Sequence, residues 1–334
     1  MSLIVEFILT ERCNLKCRHC LHGEATDMQN GRDIPLRAMI SYLDQIAVIA
    51  ARQNTGFVLG FSGGEPMLRL PDLLEACRYA RSKGAQKVTT MTNAYWGADE
   101  QKARQMVRAL KDAGMDTVGV SIDDFHQEFV PLSSVLTVLK LLREYHMAFS
   151  IKTVVTKKTR RIAAILGDLG DLLLDRGPTV QEMSCIPTGS AVAAVPPEEL
   201  LYTQGLPDQA CESAMAILPG GDVYPCCGAG FNAGILLGNA NTDSLQALYY
   251  KMKEGTLYNI LRKKGPVYFA DALQAAGHSL ECQKFVGACD LCQAVFSHPA
   301  YPEVASTALK EWRRECMEKV LSGVPRAADT VARA

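Results

Sequence analysis

Three cysteines stand close together near the start of the chain, where each could offer a thiolate to one inorganic centre. They are Cys13, Cys17 and Cys20, and they follow an apolar run at residues 3–9 that predicts a strand. Thiolates are soft ligands that bind iron–sulfur clusters and zinc. Three of them leave a tetrahedral zinc site incomplete, with His19 or His22 as the nearby fourth ligand. On spacing alone, a cluster, a zinc site and a chance grouping stay open.

Residues 63–66 read Gly-Gly-Glu-Pro and follow a short apolar run, residues 57–61, that predicts the second strand. In a parallel sheet, ligands bind at the edge where the strands end. Two glycines let the backbone come close to a ligand, and the proline fixes the turn. An ordinary turn between a strand and a helix would look the same.

The composition excludes several classes of protein. The chain has 334 residues with 35 Lys and Arg against 36 Asp and Glu, so no strong field favours nucleic acid or a membrane surface. No apolar run reaches transmembrane length. We therefore expect a cytoplasmic protein with no nucleic-acid or membrane partner. Twelve cysteines in such a chain indicate metal ligation or thiol chemistry rather than disulfides.

Short apolar runs alternate with stretches of helical period over roughly the first 190 residues. This order predicts parallel strands joined by right-handed helical crossovers. About six such units fit, too few for a closed eight-unit barrel, so a doubly wound sheet and a partial barrel stay open. The strands are predicted at residues 4–9, 57–61, 87–91, 117–122, 149–155 and 179–185, and the helices at 35–52, 71–82, 99–113, 132–145 and 161–175.

A stretch rich in proline and polar residues, 196–208, marks a change of organisation. We expect three parts: residues 1–195, residues 196–300, and a helix with a tail at 301–334. Within the second part, an apolar–turn–apolar pattern at 217–225 predicts a β-hairpin. Helices are predicted at 244–253, 257–263 and 304–321.

A second set of cysteines lies in this later part. The hairpin would bring Cys211 and Cys226 together at its open end, and the pair Cys289 and Cys292 could complete a set of four thiolates. Zinc and iron–sulfur clusters both use such a set. Cys282 could replace one of the four.

The CxxxCxxC spacing and the Gly-Gly-Glu-Pro motif together resemble the signature of the radical S-adenosylmethionine (SAM) superfamily. The resemblance implies a partial (β/α)6 barrel that is open on one side. It implies that Cys13, Cys17 and Cys20 hold three irons of a [4Fe–4S] cluster whose fourth iron binds SAM. An electron from the cluster then cleaves SAM into methionine and a 5′-deoxyadenosyl radical, so the cofactors carry the hard chemistry.

The resemblance also implies SAM contacts at the ends of successive strands. These candidates are Gly63, Gly64, Glu65, Pro66, Thr92, Asn93, Ser121, Asp123 and Lys152. The backbone of the Gly-Gly-Glu-Pro motif is expected to accept hydrogen bonds from the SAM ammonium group. The side chains at the later strand ends could equally be capping or solvated groups. Asp124 and His126 share a loop and could contact substrate, or simply face solvent.

The pattern Cys-x9-Gly-x4-Cys, from Cys211 to Cys226, resembles the opening of a SPASM domain, which adds auxiliary iron–sulfur clusters to radical SAM barrels. Too few cysteines follow Cys292 for the full pattern. The sequence therefore resembles the shortened "Twitch" version, with one auxiliary [4Fe–4S] cluster. Its ligands are expected to be Cys211, Cys226, Cys289 and Cys292.

Cys227 directly follows one of these expected ligands. Neighbouring side chains of an extended chain point to opposite sides, so Cys227 is expected to be a free thiol beside the cluster. It could equally be a small buried hydrophobe.

Superfamily members with auxiliary domains mostly modify ribosomally made peptides. A free thiol favours L-to-D epimerisation at an α-carbon, with Cys227 as the hydrogen donor and Cys282 as the second choice. The alternative is peptide cross-linking, through a thioether or a carbon–carbon bond, or dehydrogenation. The expected partners are a precursor peptide and an electron donor such as flavodoxin or ferredoxin. A further alternative is a binding protein without enzymatic activity, in which both sets of cysteines form structural zinc sites.

Overall fold

A computed structural model of the chain describes residues 2–23, 26–170, 178–211, 214–226, 231, 235–282 and 284–323. A nine-stranded sheet runs through these parts in the order β6-β5-β4-β3-β2-β1-β7-β8-β9. The strands are β1 (Leu3–Thr10), β2 (Phe57–Gly63), β3 (Ala85–Thr92), β4 (Thr117–Ser121), β5 (Ala148–Val155), β6 (Thr179–Ser184), β7 (Met215–Ile217), β8 (Asp222–Tyr224) and β9 (Gly238–Asn239).

Strands β1 to β6 pair in parallel and in chain order. The helices between them make this the partial (β/α)6 barrel that the family resemblance implied. These helices are α1 (Leu36–Arg52), α2 (Leu70–Ser82), α3 (Glu100–Asp112), α4 (Asp124–Gln127), α5 (Leu132–Glu144) and α6 (Ile162–Leu169). The predicted helix at 161–175 is shorter in the described part of the chain, and residues 171–177 lie outside that part.

Alternation along β1 explains how the sheet is covered. Phe7, like every second residue from Leu3 to Leu9, is buried on the helical side, where its ring meets Phe61 and Tyr42 edge-on, with centroids 6.0 and 6.2 Å away. Burying each such side chain contributes about 1.5–3 kcal/mol. Glu6 lies on the opposite face and points into the barrel.

The predicted hairpin is present as β7 and β8, which pair antiparallel. It does not form a separate sheet, because β7 also pairs in parallel with β1. The hairpin therefore extends the barrel sheet beyond its first strand. The division of the chain at residues 195 and 300 stays a prediction.

The C-terminal region is mainly helical. It contains α7 (Ala191–Ala194), α8 (Leu245–Glu254), α9 (Thr256–Lys264), α10 (Val267–Ala275), α11 (Ala288–Phe296) and α12 (Tyr301–Gly323). Tyr268 on α10 packs edge-on against Trp312 on α12, with ring centroids 5.5 Å apart, and donates to the Ala308 carbonyl. In the parts of the chain described here, we find no helix that is both long and apolar enough to span a membrane.

Candidate active site

A cavity of about 310 Å³ opens at the edge where the barrel strands end. It brings together all twelve residues predicted for the first cluster and for SAM. These are Cys13, Cys17, Cys20, Gly63, Gly64, Glu65, Pro66, Thr92, Asn93, Ser121, Asp123 and Lys152. Their roles stay predictions, but the structure places all of them in the lining of one cavity.

The cysteine loop follows β1 and is braced by backbone hydrogen bonds. The Cys20 amide donates to the Cys17 carbonyl at 3.1 Å, and the Ser190 amide donates to the Cys20 carbonyl at 3.0 Å. Gly189 has φ +58°, and a Cβ atom there would lie 2.3 Å from the Cys20 oxygen. This position therefore requires glycine, because the loop before α7 packs directly on the cysteine loop.

The donor set fits a cluster better than a single zinc ion. Tetrahedral zinc holds its sulfur ligands about 3.8 Å apart. Among the described residues, His19, Asp123 and His126 form the one His/Cys/Asp/Glu trio with all ligand atoms within 4.8 Å of one another. His19, the nearby candidate for a fourth zinc ligand, is thus grouped with Asp123 and His126, which leaves three thiolates, the number that a [4Fe–4S] cluster with one open iron requires.

The thiols also depend on a bound cation for their charge. Burial, and then the neighbouring carboxylate and thiolate, raise the pKa of Cys13 to about 11. Burial and the nearby Cys13 raise the pKa of Cys17 further. At neutral pH, iron must therefore displace protons from these thiols when it binds.

The glycines of the Gly-Gly-Glu-Pro motif make room for the cysteine loop. A Cβ atom on Gly64 would lie 2.0 Å from the Arg12 carbonyl oxygen, and one on Gly63 would lie 2.4 Å from the Thr10 oxygen. The Gly64 amide donates to Thr10 at 2.7 Å. The sequence argument assigned this space to a ligand, whereas the structure fills it with backbone.

The Glu65 side chain ties two strand ends together. The carboxylate is 1% exposed and accepts hydrogen bonds from the Met67 amide at 3.0 Å, the Thr92 hydroxyl at 2.8 Å and the Asn93 amide at 2.8 Å. Burial raises the pKa of Glu65 to about 7, and the three donors oppose that shift. Its carboxylate is thus committed to holding β2 and β3 in register.

Thr92 and Asn93 are also held by protein partners. The Thr92 hydroxyl accepts from the Trp96 indole at 3.0 Å while it donates to Glu65. The side-chain NH2 group of Asn93 donates to the Asn14 side-chain oxygen at 3.0 Å. This contact joins the end of β3 to the cysteine loop. These contacts shape the cavity wall, and direct contact with SAM stays a prediction.

A pair of side chains, Asp123 and His126, borders the cavity at the end of β4. The His126 ring nitrogen Nδ1 lies 2.8 Å from the Asp123 carboxylate, which also accepts from the Val154 amide at 3.2 Å. Although burial alone would raise it, the charge and hydrogen bonds of His126 lower the pKa of Asp123. The Asp123 carboxylate thus fixes the orientation of the His126 ring through Nδ1.

Sequence reasoning did not place two titratable side chains, His19 and Glu6, in the SAM part of this cavity. His19 was considered only as a zinc ligand, but it stacks on Phe125, with ring centroids 4.7 Å apart, and lies beside Asp123 and His126. Glu6 projects from β1 beside Ser62 and Lys152, and burial raises its pKa above the ordinary value. It is the one charged residue within the apolar run 3–9, which could have marked it.

We expect Lys152→Ala to weaken SAM binding about tenfold while iron content stays unchanged, because Lys152 lines the cavity beside Glu6 and is not one of the expected cluster ligands. Equilibrium dialysis with labelled SAM measures this. The matched control is Lys140→Ala, since Lys140 is exposed on α5. Equal SAM affinity in the two variants would remove Lys152 from the binding site.

The second set of cysteines also converges. Cys292 is half-buried, and its pKa is raised first by desolvation and then by the nearby thiols of Cys226, Cys211 and Cys289. Cys289 and Cys292 lie three residues apart on α11 and so share a face of the helix. The arrangement can hold one auxiliary cluster.

Cys282 does not belong to either set. It is exposed, its thiol contacts the Lys284 carbonyl at 2.9 Å, and it lines a different cavity of about 490 Å³ with Phe285. The structure therefore gives no support to Cys282 as a donor at the SAM cavity or as a replacement ligand. Cys227 lies outside the described residues.

Aromatic rings connect the hairpin to the cysteine loop. The Phe231 ring lies 5.2 Å from Tyr224, at the end of β8, and 6.0 Å from His22. His22 in turn lines the cavity. The hairpin end that leads to Cys226 therefore lies beside the SAM cavity as well as beside the auxiliary thiols.

Comparison with known proteins agrees with this geometry. Residues 7–161 match the radical SAM superfamily, and residues 210–268 match the SPASM iron–sulfur cluster-binding domain. YydG of Bacillus subtilis (strain 168), named for a proposed role in peptide biosynthesis, is 26% identical over 302 residues, which is 88% of this chain and 92% of YydG. Fe-coproporphyrin III synthase of Methanosarcina barkeri (strain Fusaro / DSM 804) is 33% identical over 124 residues, 37% of this chain and 28% of the synthase.

Solved structures show the same fold. anSMEcpe with bound AdoMet has a TM-score of 0.58 at 17% identity, over 92% of this chain and 99% of that one. The same protein with AdoMet and the Kp18Cys peptide has a TM-score of 0.59 at 16% identity, over 92% of this chain and 99% of that one.

The chain thus joins a radical SAM domain to a SPASM domain, and it is an enzyme of the radical SAM superfamily. These domains imply [4Fe–4S] clusters and SAM as cofactors. The SPASM match covers Cys211 and Cys226 and ends before Cys289. The limit of one auxiliary cluster stays a prediction.

Proposed function

We propose that the enzyme converts an L-residue of a ribosomally made precursor peptide into its D-epimer. Two likenesses support a peptide substrate: YydG is named for peptide biosynthesis, and anSMEcpe, which has this fold, is seen with a peptide. We place the reaction in the cytoplasm, with a flavodoxin or ferredoxin as the electron donor.

The observation that carries this proposal is the position of the hairpin end. Tyr224 contacts the cavity side through Phe231 and His22, while Cys226 lies among the auxiliary thiols. The next residue along the chain is Cys227. In this proposal the Cys227 thiol gives its hydrogen to the substrate and is then reduced again.

SAM, when bound and reduced by one electron from the flavodoxin- or ferredoxin-class donor, would release methionine and supply a 5′-deoxyadenosyl radical, which would remove the α-hydrogen of the target residue and become 5′-deoxyadenosine. The Cys227 S–H bond then breaks, and its hydrogen atom bonds to the opposite face of the α-carbon radical. The Cys227 thiyl radical that remains takes one electron, from the flavodoxin- or ferredoxin-class donor, and one proton. The peptide keeps its mass, and the thiol is restored.

The test uses anaerobically reconstituted enzyme and chiral analysis of the hydrolysed peptide. We expect Cys227→Ala to form no D-residue above background while it still releases 5′-deoxyadenosine. Cys316→Ala, a substitution on α12 away from the cavity, is the matched control and should retain epimerisation. D-residue formation by Cys227→Ala at the wild-type rate would overturn the assignment of Cys227 as donor. If Cys282→Ala were instead the one variant that forms no D-residue, the donor would be Cys282.

A further inference from the structure

Strand β6 forms a lateral edge of the barrel in the part of the chain that the structure describes. On the other side of the barrel, the edge of β1 is covered, because β7 pairs with it. β6 pairs with β5, and no other strand in the described parts of the chain lies beyond it. A strand in this position presents unpaired backbone groups that can hydrogen-bond to another extended chain.

The pairing register shows which groups are free. The Cys185 amide donates to the Val155 carbonyl at 2.9 Å, and Val155 is aligned with Ser184. In a parallel strand, every second residue directs its backbone N–H and C=O to the same neighbouring strand. In β6 the residues that face β5 are therefore Thr179, Gln181 and Met183. The other three residues direct theirs outward. These are Val180, Glu182 and Ser184.

The outward-facing edge is held rigidly from the helical side. The Glu182 carboxylate accepts hydrogen bonds from Arg161 at 2.9 Å and from the Ile162 amide at 2.7 Å, at the start of α6. The backbone amides and carbonyls of Val180, Glu182 and Ser184 have no protein partner among the described residues. Glu182 thus anchors the outer strand to the start of α6.

The same strand also borders the SAM cavity. Met183 lines that cavity and is 37% exposed, and its neighbours on β5, Val154 and Lys152, line it too. Side chains of a strand added beside β6 would alternate, with every second one on the cavity side. An extended chain at this edge would therefore present residues to the mouth of the cavity.

We infer that the β6 edge binds the substrate as an added β-strand, through the outward backbone groups of Val180, Glu182 and Ser184. This inference rests on the proposed peptide substrate and names how that peptide is held. The occupant is an extended segment of the precursor peptide, because only a backbone with alternating amides and carbonyls matches this edge. Such binding reads conformation more than sequence, so side chains facing the cavity supply the selectivity.

The first test is Val180→Pro, with binding of a fluorescein-labelled precursor peptide measured by anisotropy on the reconstituted holoenzyme. Proline removes one outward N–H and places its ring at the edge, while the bonds to β5 remain. We expect the peptide dissociation constant to rise about tenfold. Val180→Thr keeps the N–H and the branched shape and should bind like the wild type.

A second measurement does not depend on the folding of a variant. Peptides that carry one backbone N-methyl group at successive positions should bind the wild-type enzyme with a two-residue alternation in affinity, since every second amide faces the edge. Unchanged affinity in Val180→Pro together with no alternation would overturn the edge site. D-residue formation is measured separately from binding. A peptide whose binding is weakened by Val180→Pro but which is not epimerised by the wild type would overturn the proposed function and still support the edge site.

Discussion

Replacing Cys17 with serine should abolish 5′-deoxyadenosine formation and halve the iron content of the reconstituted enzyme. Cys17 is 8% exposed in the centre of the cysteine loop, and its thiol lies near those of Cys13 and Cys20. A serine hydroxyl does not deprotonate to replace a soft thiolate ligand. We expect about four irons per chain instead of about eight, since the auxiliary cluster remains.

Iron and sulfide analysis, together with chromatography of the SAM cleavage products, measures both effects. The matched control is Cys77→Ser, because Cys77 is also buried but lies on α2, where its thiol contacts the Ala113 carbonyl at 3.2 Å. A hydroxyl can keep that contact, so this variant should retain iron and activity. SAM cleavage that survives in Cys17→Ser would show that these cysteines do not hold the reactive cluster.

The second large effect is expected at Glu65. Removing its carboxylate in Glu65→Ala leaves the Met67 amide, the Thr92 hydroxyl and the Asn93 amide buried without an acceptor. We expect the free energy of unfolding to fall by about 3 kcal/mol, and SAM affinity to fall with it as the ends of β2 and β3 separate. Denaturant unfolding and SAM dialysis measure the two changes.

Glu65→Gln tests the same contact more finely. Its amide oxygen can still accept from Met67 and Thr92, but its NH2 group then faces the Asn93 N–H, so one donor meets another. We expect a loss of about 1–2 kcal/mol. Glu75→Ala is the control, since Glu75 is exposed on α2 and should change stability by less than about 0.5 kcal/mol. If Glu65→Ala were as stable as Glu75→Ala, the tie between strands would contribute nothing.

The barrel and the convergence of its site residues could be predicted from the sequence. Parallel strands end at one edge of a sheet, so motifs at successive strand ends had to meet there. This placed the cysteine loop, the Gly-Gly-Glu-Pro motif and Lys152 in one cavity. The order of apolar runs indicated parallel strands that pair in chain order, and the resemblance carried by the two motifs favoured a partial barrel over a doubly wound sheet.

The rest depends on contacts between distant segments. Nothing local shows that β7 pairs with β1, since more than 200 residues separate them. Side-chain direction is also absent from spacing, so the inward turn of Glu65 and the packing of His19 on Phe125 went unseen. Cys282 was a possible replacement for one of the late cysteines, and spacing could not show that it lines a different cavity.

The central claim, epimerisation with a thiol donor, is tested most directly by peptide mass after reaction in deuterated water. Reconstituted enzyme, SAM and a reductant are incubated with the precursor peptide, and labile sites are then exchanged back. Because a thiol exchanges its hydrogen with solvent, we expect a gain of one deuterium at an α-carbon in the wild type and none in Cys227→Ala. A loss of two hydrogens without deuterium would contradict epimerisation and indicate cross-linking or dehydrogenation.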